Sequence, residues 1–248
     1  MRFKNKRILV TGSTRGIGRA TAKAFAEEGA HVVVHGRAAE AAEIAAGEVG
    51  GVAGFGFDVS SAVGCESLVA ASMKTLGGLD ILVNNAGIWY SARTEDFDED
   101  AYDRMMDANV KSVFFCTKAS LPELRLNGGA IVNLASESGV MGQYGAVVYC
   151  ATKAAILNMT RAMALEYAPD VRVNCVSPGT VDTDMVRLDA ARADDPARRL
   201  AAMADYAPLR RMAKPEEVAS GILYLASPDA AYVTGTSLSI DGGTTAGH

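Results

Sequence analysis

Several things are scarce in this 248-residue sequence, and each scarcity removes a class of chemistry. Cysteine occurs only at Cys65, Cys116, Cys150 and Cys175, widely spaced and with no Cys-x-x-Cys, and histidine only at His31, His35 and His248. That supply builds neither a disulfide framework nor a zinc site, so no metal is expected and the thiols read as small buried residues. Cys150 stands beside Tyr149 but has no histidine near it in sequence to activate it as a nucleophile. No apolar run approaches the ~20 residues that span a bilayer, and Ile8-Leu9-Val10 is too short for a signal-peptide core. A cytoplasmic protein with no membrane partner is expected. Positive charge is in deficit too: the formal net charge is -5, and no basic patch offers nucleic acid a footprint. Repeats and low-complexity linkers are absent. Aromatics make up 6% and charged residues 21%, against 49% hydrophobic residues and 25 glycines, a mix suited to closely packed helix-on-sheet layers in one domain, 1–248.

What is present is an alternation of short β-branched runs with longer Ala-rich amphipathic stretches. The runs predict strands at 7–11, 31–35, 52–57, 81–84, 130–134, 171–176 and 237–240. The gaps predict helices at 16–28, 38–48, 62–76, 99–125, 148–167 and 215–226, with a further partly helical stretch at 192–206. Strand runs that are apolar throughout belong in a parallel sheet covered on both faces. The expected architecture is therefore α/β: a single-domain, Rossmann-type doubly wound fold, with a seven-stranded parallel sheet and helices on both faces. In such sheets ligands sit outside the carboxyl ends of the strands, which directs attention to the residues that follow each one.

The first strand runs into Thr11-Gly12-Ser13-Thr14-Arg15-Gly16-Ile17-Gly18. Glycines spaced G-x-x-x-G-x-G permit a sharp strand-to-helix turn and close backbone approach to a pyrophosphate, whose charge the N–H groups of the next helix stabilise. After the second strand comes Val34-His35-Gly36-Arg37, with no carboxylate to hold a ribose 2′-hydroxyl. Arg37, together with Arg15, offers forked cationic donors to a 2′-phosphate, so NADP(H) is expected over NAD. The third strand ends at Asp58-Val59, where Asp58 is placed either to meet an adenine amine or to start the next helix. The fourth ends at Asn84-Asn85-Ala86-Gly87, amides and a glycine that suit either a cofactor wall or a plain turn. Further along, Tyr149 lies four residues before Lys153 on one helix. An ammonium beside a phenol stabilises the phenolate and draws its pKa toward neutrality, which would let Tyr149 move a proton to or from an alcohol oxygen. By spacing alone the pattern is weak, since Tyr-x-x-x-Lys recurs on many amphipathic helices as a surface pair.

Taken together, these motifs resemble the short-chain dehydrogenase/reductase family in its ~250-residue form. The resemblance runs from Thr11 through Asn109, Ser136, Tyr149, Lys153 and Pro178-Gly179 to Val233-Thr234-Gly235 and Asp241-Gly242-Gly243. It implies an NADP(H)-dependent oxidoreductase, a carbonyl reductase that interconverts a small ketone and a secondary alcohol. Tyr149 would be the general acid and base and Ser136 the hydrogen-bond partner of the same oxygen. Lys153 would lower the Tyr149 pKa and bind the nicotinamide ribose, and Asn109 would anchor a water relay to Lys153. Pro178, Gly179, Val181 and Thr183 join Tyr149 and Lys153 on the expected cofactor contacts. By position, Trp89, Glu137, Gln143, Tyr144 and Met185 are substrate-side candidates, under a lid at about 181–206. The family also implies a homotetramer pairing through the helices at 99–125 and 148–167. In overall look the chain is closest to 3-oxoacyl-carrier-protein reductases. Where those enzymes place basic residues to dock an acidic carrier, this chain has Asn127 and Asp170, which favours a free small substrate. A non-catalytic NADP-binding sensor is the alternative from another class, and the intact Tyr–Lys pair argues against it.

Overall fold

The computed structural model describes residues 1–247; His248, the last residue of the expected domain, lies outside them. Seven strands form one parallel sheet in the order β3-β2-β1-β4-β5-β6-β7. They are β1 (Arg7–Val10), β2 (His31–Gly36), β3 (Ala53–Gly56), β4 (Ile81–Asn84), β5 (Ala130–Leu134), β6 (Arg172–Pro178) and β7 (Ser237–Ile240). Successive strand residues feed opposite cores. Ile8, Val10, Val32 and Val34 face a layer built with Phe25 and Ile222. Leu9, Val33, Leu82, Ile131 and Val173 face another built with Leu68, Leu124 and Met163. This two-sided burial is why the strands read as unbroken apolar runs.

The first layer is carried by α1 (Gly16–Glu27), α2 (Ala39–Val49) and α9 (Pro215–Ala226). The second is carried by α3 (Ala62–Leu76), α5 (Ser112–Leu126) and α6 (Val147–Tyr167). The helix expected to run unbroken over 99–125 is instead α4 (Glu99–Met106), a π turn at Asp107–Lys111, and then α5. The interruption falls where the buried Asn109 side chain leaves the helix to bond Ile88 on both its backbone groups. Ser112 Oγ also bonds back to Ala108 O at 2.6 Å. Such side-chain claims on neighbouring backbone are a physical cause of local rewinding.

The stretch expected to be partly helical over 192–206 contains α8 (Pro196–Tyr206), and α7 (Asp184–Ala190) precedes it unforeseen. Asp195 accepts from Arg198 N at 3.0 Å and Pro196 occupies the first turn, so capping chemistry sets the start of α8. The base of this excursion is pinned to the body by Asp182 N to Ala213 O and Ala213 N to Thr180 O, both 2.9 Å. Among the described residues no helix is long and apolar enough to cross a membrane.

Candidate active site

The strand order reverses between β1 and β4, and there the carboxyl ends diverge into a cleft of about 770 Å³. Gly12 and Gly16 adopt left-handed backbone at φ +62 and +55. A Cβ on Gly18 would lie 2.4 Å from both Asn85 Nδ2 and Gly12 O. Asn85 Nδ2 donates to Thr11 O at 2.9 Å and to Gly12 O at 2.8 Å. Thr11 Oγ1 in turn accepts from the N–H groups of Asn85 and Ala86, each at 3.0 Å. The turn is thus stitched to the end of β4, which fits a diphosphate passing over exposed backbone. Thr14, Arg15, Gly16, Ile17, Arg37, Asp58, Val59, Ala86 and Gly87 all line this end of the cleft, and Arg15 and Arg37 are exposed. Asp58 Oδ1 accepts from Ser60 N at 3.0 Å, and Ser60 foremost, with Arg37 assisting, holds the carboxyl below its ordinary range.

Two residues of this end behave differently from their expected or overlooked status. Ser13 is fully buried and does not line the cleft: its Oγ donates to Val10 O at 2.6 Å and accepts from His35 N at 3.0 Å. The His35 ring, to which the sequence assigns no role, braces the turn. Nδ1 accepts from Gly12 N and Nε2 lies near Phe57 O, both at 3.0 Å. A carbonyl only accepts, so Nε2 carries the proton, and burial lowers the ring pKa to keep that neutral form.

At the other end the cleft is lined by Ser136, Tyr149 and Lys153, with Pro178, Gly179, Val181 and Thr183 alongside. Lys153 Nζ donates to Leu134 O at 2.7 Å and sits 5.5 Å from the Tyr149 ring centroid. Burial brings the Lys153 pKa down to about 8, so at neutral pH it is still mainly a cation. Burial also pushes the Tyr149 phenol above its ordinary value, with Ser136 pulling the other way. The lowering expected from Lys153 does not show at Tyr149 in this structure, where desolvation sets the direction. Asn109 does not line the cleft. Its amide is taken up by Ile88 and by Thr152 Oγ1 at 3.2 Å, so it ties the π turn to the segment after β4 and to the helix that carries Tyr149 and Lys153.

The substrate-side candidates do converge on this end. Trp89 packs edge-on against Tyr149 with centroids 4.5 Å apart. From Ser136 a polar wall runs through Ser138 Oγ (3.2 Å) to Gln143 Oε1 (2.8 Å), and from Gln143 Nε2 to Glu137 Oε1 (3.4 Å). Glu137 is buried, and burial, then Asp241, raise its carboxyl to about 7. Tyr144 and Met185 stand at the exposed rim. Asp189, Arg199, Met203 and Tyr206 also line the cleft. The sequence placed them in the expected lid at about 181–206, with no pattern that marks any of the four for the cleft.

A doubly wound sheet with a braced glycine turn and a Ser, Tyr and Lys in the same cleft defines the class: a dinucleotide-binding protein of the Rossmann type. A family model described as "Enoyl-(Acyl carrier protein) reductase" matches residues 12–245. The chain is similar to meso-2,3-butanediol dehydrogenase of Serratia marcescens, 39% identical over 99% of this chain and 97% of that one. It is also similar to 2-(S)-hydroxypropyl-CoM dehydrogenase 3 of Xanthobacter autotrophicus, 40% identical over 99% and 98%. A solved structure described as a short-chain dehydrogenase/reductase, glucose/ribitol dehydrogenase, from Brucella melitensis superposes with a TM-score of 0.91 at 36% identity, covering 98% of each chain. The chain belongs to the short-chain dehydrogenase/reductase family. It is accordingly an oxidoreductase acting on carbonyl and CH–OH groups with a nicotinamide cofactor.

Proposed function

We propose that this protein is an NADP(H)-dependent reductase and dehydrogenase of a small, polar ketone and its secondary alcohol, working as a single domain with 181–206 as its lid. One observation carries the reading: Ser136, Tyr149 and Lys153 line the same cleft as the glycine turn, so a bound dinucleotide and a carbonyl oxygen meet at the phenol. When bound, the nicotinamide nucleotide supplies or accepts the hydride. Tyr149 gives its hydroxyl proton to the carbonyl oxygen in reduction and takes it from the alcohol in oxidation, while Ser136 Oγ hydrogen-bonds that oxygen. Lys153, still cationic at neutral pH, stabilises the phenolate left behind. Asn109 supports this geometry from behind through Thr152 and Ile88.

NADP over NAD is supported by the two exposed guanidinium groups at the Gly36 end. Both line the cleft, where forked cationic donors suit a 2′-phosphate. A polar free substrate is supported by the Ser138–Gln143–Glu137 wall and by the alcohols and sugars in the names of the relatives. At one of the two positions where a carrier protein would need basic residues, Asn127 instead closes α5 through bonds to Leu79 O and Glu123. Assembly as a cytoplasmic homotetramer accords with Phe114 on α5 and Leu165 on α6, apolar yet 46% and 85% exposed.

The test is a panel of small hydroxyketones, diols, sugars and a thioester β-ketoacyl compound, followed by NADPH absorbance. Tyr149→Phe should lose about 1000-fold in turnover on the best of them, the scale of a lost proton donor, while still binding NADPH. Retained turnover would sink the role given to Tyr149.

A further inference from the structure

We propose that Asp189 is a positioning residue: it latches the lid to Trp89 and so fixes the wall of the substrate cavity beside Tyr149. The inference rests on the reading of Tyr149 given above. Trp89 follows β4 and sits edge-on to Tyr149, where its ring bounds the space next to the phenol. An indole N–H is only a donor and needs a partner when half-buried. Here Trp89 Nε1 donates to Asp189 Oδ1 at 3.1 Å, across 100 residues of sequence, from the segment after β4 to α7. The second oxygen of Asp189 lies 3.6 Å from the Arg199 guanidinium on α8. The Asp189 side chain is 13% exposed, so its charge depends on these two donors more than on water.

One carboxylate thus joins both lid helices to the aromatic wall. Among the described residues no other hydrogen bond links α7 or α8 to the elements around Tyr149. Met185, Val186 and Met203 also face the cleft but are apolar and give no directional hold, and Thr183, Asp184 and Tyr206, which line it too, bond none of the elements around Tyr149 among the described residues. With the latch made, the indole cannot turn away from Tyr149, and the cavity is shaped for a compact substrate. With it broken, Trp89 is free to swing, the wall softens, and bulkier ketones are admitted at the expense of small ones.

Trp89 is the only tryptophan of the chain, so its fluorescence reports on this bond with or without substrate. The experiment compares the intact wild type with Asp189→Ala and Asp189→Asn. The Asn variant keeps an acceptor for the indole, loses the ion pair, and covers the case in which the Ala variant fails to fold. Asp189→Ala should red-shift Trp89 emission and raise its quenching by acrylamide. It should also raise KM for the small ketone by about tenfold, the factor carried by one lost hydrogen bond to a charged group, with kcat near wild type. Its preference for small over bulky ketones should fall, and Asp189→Asn should lie between the two proteins in every readout. Unchanged emission and quenching in Asp189→Ala would overturn the latch, and changed fluorescence with unchanged KM and selectivity would overturn its role in positioning. If the wild type reduces no ketone at all, the reaction reading falls, and the fluorescence comparison alone then upholds or overturns the latch.

Discussion

Replacing Glu137 by Gln should remove a dependence of stability on pH that the fold itself imposes. Glu137 is 3% exposed, and its Oε2 has no hydrogen-bond partner among the described residues. Burial, then the neighbouring Asp241 carboxylate, raise its pKa from 4.5 to about 7. The folded chain therefore holds this proton more tightly than the unfolded chain does. Below the unfolded value both states are protonated and stability is complete. As pH rises toward and through the folded value, the unfolded chain has already released its proton, and stability is lost. A separation of about 2.5 on the pH scale, at about 1.4 kcal/mol for each tenfold, amounts to a loss of about 3 kcal/mol. Gln has the same shape and never ionises, but it adds two N–H donors to a buried site, at a cost of about 1 kcal/mol. At about pH 5 the variant should thus match or fall slightly below the wild type, and at about pH 8 it should exceed it by about 2 kcal/mol. Denaturant unfolding of both proteins at the two pH values, at one protein concentration, gives this double difference directly. Asp241→Asn should shrink the wild-type dependence by removing the second cause. If the gap between wild type and Glu137→Gln were the same at both pH values, Glu137 would not carry a raised pKa and the reasoning would fail.

Gly18→Ala should destabilise the protein by about 2 kcal/mol, because the new Cβ must displace Asn85 Nδ2 and Gly12 O from 2.4 Å. The thermal shift produced by adding NADPH should vanish with it, and a normal shift would contradict the cradle. Arg37→Ala should lower the ratio of NADP to NAD efficiency by about tenfold or more, the worth of a charge-assisted hydrogen bond, and an unmoved ratio would refute the preference. This is a cleaner test than introducing an Asp at position 36, where contact with Thr14 would mix packing with charge.

Much of this protein was open to reading because its determinants are local. Strand ends at Val10, Asn84 and Leu134 follow from short apolar runs closed by turn residues, and all seven strands lie within two residues of their expected limits. The glycine turn and the Tyr149–Lys153 spacing are likewise properties of neighbouring residues, and their ordered likeness to one family implied the class of chemistry. Where a residue's role is set by something distant, the linear pattern misled or was silent. Asn109 sat inside a good helical pattern, and only Ile88 arriving from β4 shows why a π turn forms there. His35 became a brace because β1, β2 and β3 end side by side, and Ser13 turned inward for the same reason. No local pattern marks Asp189, and only the folding of α7 brings it onto Trp89.

Ionisation shows the same division. The Tyr149–Lys153 spacing, by itself, argues for an activated phenol. Tertiary burial reverses the sign at Tyr149, lowers Lys153 and raises Glu137. Spacing along a helix sets which groups are neighbours, but the free energy of a charge depends on how much water the whole fold leaves around it. Local pattern set the fold class, and its likeness to one family implied the class of chemistry. The tertiary structure decided which groups reach the cleft, which serve as braces, and what protonation each prefers, because those depend on contacts and solvent that no local pattern contains.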